Sequence, residues 1–221
     1  MRKKILFISL PILLLIILVA CSGSLVAMLN VSTINEINEH EDLVYLVDAT
    51  IEIETLTDEE DVELTAKIEE WFRGAKNIHY AEAAFSNLLV ADIKVPVINF
   101  NNETFDSSND LLTLLVEGNY LGISYLGFRF SESLVSEINA YLLANYFTQL
   151  SIKDWQFSIT LYNDTTEERS LSLNGVYADD DPVIYPSSYH LSHQESIKIT
   201  IGDVLKDWGY RWGDGYFATL Y

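Results

Sequence analysis

A single cysteine, Cys21, stands among 221 residues. That scarcity excludes an intramolecular disulfide framework and any multi-cysteine zinc site, so stability has to come from packing. Basic residues are scarce too: 13 Lys and Arg face 33 Asp and Glu, for a net charge of -20. Such a body repels phosphate backbones, and nucleic acid is not expected as a partner. Anionic lipid headgroups, which attract Lys and Arg patches, are disfavoured for the same reason. Catalytic signatures are missing as well. No Gly-x-Ser-x-Gly elbow, Ser-x-x-Lys pair, HExxH helix or phosphate-cradling glycine loop occurs, so neither an enzyme nor a cofactor is expected.

What is present points to a folded body behind a membrane anchor. Apolar residues make up 49% of the chain and aromatic ones 12%, enough to bury a real core. Arg2, Lys3 and Lys4 precede a run from Ile5 to Ala20 in which only Ser9 and Pro11 are not apolar. This is the order of an export signal, with the positive end retained in the cytoplasm. Leu18-Val19-Ala20-Cys21 then resembles the lipobox of bacterial lipoproteins, which implies cleavage before Cys21 and lipid attachment to its thiol. Two alternatives stay open. The apolar run resumes at Leu25-Val26-Ala27-Met28-Leu29, so the segment 1–29 also suits an uncleaved single-pass anchor of about 20 residues; the third is ordinary cleavage with release. The two anchored readings place the body on the extracytoplasmic face of the cell membrane.

Residues 30–42 are polar and acidic and read as a spacer, or a short helix, that lifts the body off the bilayer. Thr50 to Glu54 alternate as a half-buried strand does, and a second strand is expected over 62–72, with a helix there as the close competitor. Val90 to Ile98 forms a strand that Pro96 marks as an edge or a strand end. Two short strands are expected between Leu111 and Phe130, broken at Gly118, Gly122 and Gly127. From 131 to 150 the pattern is helical: Ser131 or Ser133 can cap it, and Leu134, Val135, Ile138, Tyr141 and Leu142 share a face.

In the last third, Trp155, Phe157, Ile159 and Leu161 alternate with polar residues, as do Leu171 with Leu173, and Ile197 with Ile199 and Ile201. Asn174-Gly175 predicts a tight hairpin, and Trp208, Tyr210 and Trp212 predict a terminal aromatic strand. Together, residues 154–221 resemble the immunoglobulin-like β-sandwich modules of archaeal and bacterial surface proteins, which implies a spacer, assembly or binding module. The expected fold is mainly β, of α+β type. It has an anchor over 1–29, a spacer over 30–42, an antiparallel β-rich region with one helix over 43–153, and a β-sandwich-like module over 154–221.

Candidate sites are few. Asp179, Asp180 and Asp181 stand in one loop where oxygen ligands for calcium could gather, without the spacing of an EF-hand; Asp58 to Asp61 are a weaker case, and a solvated turn is the simpler reading of both. His190 and His193 lack further ligands in their neighbourhood and read as surface loop residues. Asn30, Asn102 and Asn163 stand in Asn-x-Ser/Thr sequons, acceptors for glycan where the host modifies exported proteins. The aromatic tail from Trp208 to Tyr221 suits either a filled core or contact with sugar rings. The expected function is a non-enzymatic, membrane-anchored binding or structural role at the cell envelope, with a protein or envelope partner. A small-ligand or ion-binding lipoprotein and an envelope hydrolase are the alternatives.

Overall fold

The computed structural model describes residues 21–55, 62–82, 87–119, 121–146 and 148–221. Thirteen strands and four helices carry these residues, and the fold is mainly β. The expected lipobox residues before Cys21 and the acidic stretch Asp58 to Asp61 lie outside them.

The first strand corrects the expected anchor boundary. Cys21–Asn30 is β1, antiparallel to β2 (Val44–Thr55) on one side and parallel to β7 (Leu150–Tyr162) on the other. Leu25, Ala27 and Leu29 are buried while Met28 on the opposite face is exposed. An apolar run of this length reads equally as the end of a membrane span or as a central strand buried on one face, and hydrophobicity alone does not separate them. Here the strand wins, because its alternate residues complete the core between two ladders.

The expected spacer is also part of the body. Val31–Glu39 is helix α1, and Val31, Ile34 and Ile37, at i, i+3 and i+6, are all fully buried. Its first turn is held from a distance: the Ser32 amide and hydroxyl donate to the Asp164 carboxylate at 2.9 and 2.5 Å. A carboxylate there suits the positive end of the helix dipole.

After β2, Val62–Trp71 is helix α2 and not the strand favoured by alternation; Leu64, Ile68 and Trp71 form its buried stripe. The strands β3 (Lys76–Glu82) and β4 (Asn87–Asn99) follow. Pro96 marks an edge only locally. On one side β4 pairs with β2 throughout; on the other, β3 pairs as far as Asp92 and β5 begins at Val97. Pro96 sits in the gap, on the side to which the Lys94 N–H points as it donates to the Arg73 carbonyl at 2.8 Å, so the missing proline donor breaks no ladder.

Strands β5 (Leu112–Gly118) and β6 (Ser124–Phe130) are the two short strands expected, but Gly127 lies inside β6, paired with Leu115 and Tyr216, and does not break it. Helix α3 spans Glu132–Tyr146, shorter than expected because β7 starts at Leu150. Ser131 caps it: its Oγ accepts the Leu134 N–H at 3.1 Å, the bond an N-cap serine makes to N3.

The C-terminal third does not close on itself as a separate module. The expected boundary at 153/154 falls inside β7, and the later strands part company on either flank of one sheet. Strands β12 (Ser196–Ile201), β9 (Val176–Ala178) and β10 (Asp181–Val183) extend it beyond β7. Strands β13 (Asp214–Leu220), β8 (Arg169–Leu173) and β11 (Ser187–Leu191) extend it beyond β6. The sheet curls until its flanks face each other over one core: Phe130 of β6 meets Phe157 of β7 with ring centroids 4.7 Å apart, though the two strands are not neighbours in the sheet. Trp155, Phe157, Ile159 and Leu161, assigned to one face by alternation, are all fully buried.

Asn174-Gly175 is therefore no hairpin. Strands β8 and β9 pair with different partners, and the link between them crosses from one flank to the other. The tight turn lies five residues on, where Asp179 (φ 47) and Asp180 (φ 72) join β9 to β10. Two successive positive φ values are what a type I′ hairpin requires.

Candidate functional site

The remaining helix defines the site. Asp203–Trp212 is α4, not the aromatic strand expected from Trp208, Tyr210 and Trp212. Helical signals bracket it in the sequence: Asp203 stands in the first turn, Arg211 in the last, and Gly213 follows at φ 96 with its N–H bonded to the Gly209 carbonyl. A left-handed glycine just past a helix is its usual stop. Alternation of Trp208, Tyr210 and Trp212 masked these signals.

Helix α4 crosses one end of the body, from the end of β12 to the start of β13. At this end Cys21 stands opposite Leu150, and Gly23 opposite Trp155. Between those two pairs the register of β7 slips, and Lys206, only 4% exposed, fills the resulting need for donors. Its Nζ donates to the carbonyls of Lys153 and Trp155 at 2.9 and 2.7 Å, and lies 2.9 Å from Asp203 Oδ1. On its inner side α4 lies so close to β6 that a Cβ on Gly209 would meet the Phe128 ring at 2.5 Å; only glycine permits that approach.

The outer side is unusual. Val204, Trp208 and Trp212, at i, i+4 and i+8, are 87%, 57% and 71% exposed, and the two indole rings lie 5.8 Å apart. Beside them runs an open groove of about 390 Å³ lined by Asn174, Gly175, Val204, Leu205, Trp208, Asp214 and Tyr216. Its charges are internally paired. Arg129 grips Asp214 with two bonds of 2.6 and 3.1 Å, which raises the guanidinium pKa. Burial, reinforced by Glu117, whose carboxylate accepts the hydroxyl proton at 3.1 Å, pushes the Tyr216 phenol far above its ordinary range. Tyr216 is thus held neutral, a hydrogen-bonding aromatic surface and not a proton carrier. The hydrogen bond from Lys153, with Arg211 adding its charge, holds the Asp207 carboxyl below the usual carboxylate range.

Other concavities offer less. A recess of about 30 Å³ between α2, α3 and the start of β7, lined by Leu64, Ile138 and Trp155 among others, has room for only a water or two. A groove of about 310 Å³ on the outer face of β1, β2 and β4 exposes Met28, Asp48, Lys76 and Asp92; Asp48 is paired with Lys94 at 2.7 Å, and Asp92 accepts from Asn77 at 2.7 Å.

The sequence candidates fall apart as a metal set. Asp179 and Asp180 form the type I′ turn, with Asp179 Oδ1 accepting the Lys198 N–H and Asp180 3.4 Å from Lys198 Nζ, while Asp181 begins β10. Turn geometry, not a ligand, explains the acids. His190 lies 3.2 Å from Glu168, and His193 faces the Thr165 carbonyl at 2.7 Å. Among the described residues no group of three or more His, Cys, Asp or Glu side chains converges on one point.

The sequons divide. Asn163 is fully buried, and its amide nitrogen already donates to the Glu167 and Leu191 carbonyls. Its Oδ1 accepts from the Thr165 N–H and hydroxyl, and Asn102 does the same with Thr104. Both Asn-x-Thr triplets are thus side-chain turns, and glycan on Asn163 is incompatible with the fold. Asn30 ends β1 and is half-buried. Cys21 opens β1 at the same end as α4.

Among the described residues no helix is long and apolar enough to cross a membrane. Comparison with curated proteins and with solved structures gives no match. A family match does exist, and it runs from β1 into α4 across every domain boundary expected from the sequence. The chain belongs to the family described as Domain of unknown function (DUF7424), which it matches over residues 24–208.

Proposed function

We propose that this chain is a non-enzymatic protein anchored on the extracytoplasmic face of the cell membrane, whose acidic β-rich body binds a partner or takes a structural part in the envelope. One observation carries the anchored reading: the apolar run starting at Ile5 behind Arg2, Lys3 and Lys4 leads straight into β1 at Cys21. Because β1 uses residues 21–30 in the core, the run left over is shorter than the roughly 20 residues a span needs. That favours a cleaved signal and a lipid on Cys21 over an uncleaved transmembrane helix. The exposed aromatic stripe of α4 supports a contact role for the body.

A second reading, a small-ligand-binding lipoprotein, draws on the groove beside Trp208, where two aromatic side chains stand near the Asn174 amide and the Asp214 carboxylate. The test of the first reading is metabolic labelling with a clickable fatty acid. Wild-type protein is expected to take up label, and Cys21→Ser to lose it and accumulate as unprocessed precursor. Equal labelling of the two forms would sink lipid attachment at Cys21; absence of both label and membrane retention in the wild type would sink the anchor.

A further inference from the structure

The distribution of exposed apolar side chains is lopsided. Among the described residues, seven large ones are more exposed than Met28 at 56%. Six of them, Val62, Ile184, Tyr185, Val204, Trp208 and Trp212, belong to the end of the body at which β1 begins. Val62 starts α2, whose Leu64 lines a recess with Thr55, Leu150 and Trp155. Ile184 and Tyr185 follow Val183, which pairs with Val176, itself the partner of Ile201 just ahead of α4. Only Leu121 is elsewhere, between β5 and β6 at the opposite end. Single exposed apolar residues are ordinary, whereas a gathering at one end marks a contact surface.

The length of tether decides what covers it. Cys21 is already opposite Leu150, and Gly23 opposite Trp155, so no spacer separates the anchoring segment from the folded body. At about 3.5 Å per residue, a link of one or two residues leaves this end within a few ångströms of the bilayer surface. Charge fits as well. The chain as a whole is strongly acidic, yet the two carboxylates of α4 and the one that opens β13 after it are each paired: Asp203 with Lys206, Asp207 with Lys153 and Arg211, Asp214 with Arg129. Indole rings on an amphipathic helix partition into the headgroup layer, where the ring is sheltered and its N–H stays wet.

We propose that α4 lies in the headgroup layer of the membrane that anchors the chain, with Val204, Trp208 and Trp212 inserted, so that the body is seated on the bilayer in one orientation. The inference rests on the anchored reading and adds a second, non-covalent contact to it. The four tryptophans make it testable, because Trp71 and Trp155 are 3% and 0% exposed and shielded from quenchers.

The full chain is reconstituted into phosphatidylcholine vesicles containing a fraction of phosphatidylcholine with a nitroxide high on its acyl chain. Flotation is measured alongside tryptophan fluorescence. The expected result is that the protein floats, its emission is quenched by the nitroxide lipid, and aqueous acrylamide quenches little. In Trp208→Phe/Trp212→Phe, which retains apolar bulk, the lipid quenching is lost while flotation persists. Protein that floats but whose tryptophans are quenched by acrylamide and not by lipid overturns the inference alone, and leaves the stripe for a glycan or a protein. Lipid quenching unchanged in the double variant overturns it too. Failure to float overturns the anchored reading and the inference together.

Discussion

Asp164 shows how one side chain can fix an element far from it in sequence. Its carboxylate caps the first turn of α1 through Ser32, 132 positions away. Burial alone would raise its pKa, but the two bonds from Ser32 together with one from its own backbone amide outweigh that, and the folded value lies below the ordinary one. A carboxylate with a depressed folded pKa contributes stability above its unfolded pKa, near about 3.9, and loses that contribution as pH falls through the folded value. Asp164→Ala is therefore expected to cost about 1 kcal/mol at neutral pH, as loss of a cap does. Urea unfolding of both proteins over falling pH should show the two curves converging below the ordinary carboxylate pKa. A gap that persists unchanged as pH falls well below the ordinary carboxylate pKa would mean the carboxylate charge does not matter. Nothing local to either segment of the sequence announces the bond between Asp164 and Ser32. Sequon logic failed similarly at Asn163, because the threonine that completes the motif also completes a side-chain turn.

Elements were read well where one period stood alone and poorly where two periods fitted the same residues. The alternation from Trp155 to Leu161 admits only a strand, and all four apolar residues are buried. Over 62–71, Val62, Leu64, Ala66 and Ile68 alternate, but Leu64, Ile68 and Trp71 fit a helix as well, and helix propensity with tertiary packing decides for it. Trp208, Tyr210 and Trp212 were the same trap. Turn chemistry misled at Asn174-Gly175, where Gly175 does hold φ 69 but its neighbours pair elsewhere. At Asp179-Asp180 a solvated turn is already the simpler reading; what the three acids do not announce is that this turn closes the hairpin of β9 and β10. Substitution separates the two sites. Asn174 is exposed and does not hold a positive φ, so Asn174→Val should change stability by no more than about 0.5 kcal/mol. Asp180→Val places a β-branched residue at positive φ and should cost about 1 kcal/mol or more. Thermal melting of the two variants ranks them, and the reverse order would return the hairpin to Asn174.

At the scale of the whole molecule, the mainly β class and the acidic character were legible, whereas the number of folding units was not. Local patterns suggested an anchor, a spacer and two regions, because a sequence shows periods and not partners. The ladder joins them: β1 bonds to β2 on one edge and to β7 on the other, and so ties the N-terminal residues to the C-terminal third. This makes residues 21–29 part of the fold. Leu25, Ala27 and Leu29 are 0%, 0% and 1% exposed, and burial of each leucine alone is worth roughly 1.5 to 3 kcal/mol. Against a total stability of about 5 to 15 kcal/mol, that loss, together with two severed ladders, is close to decisive. A chain that starts at Ser22 keeps the strand and is expected to unfold cooperatively in urea as a monomer. A chain that starts at Asn30, otherwise identical, is expected to aggregate or to unfold without a cooperative transition, since the edges of β2 and β7 then lie open. If the Asn30 chain instead melted with the same midpoint, β1 would be dispensable. The anchor could then extend through residue 29, and the body would hang from the membrane on a tether and not rest against it.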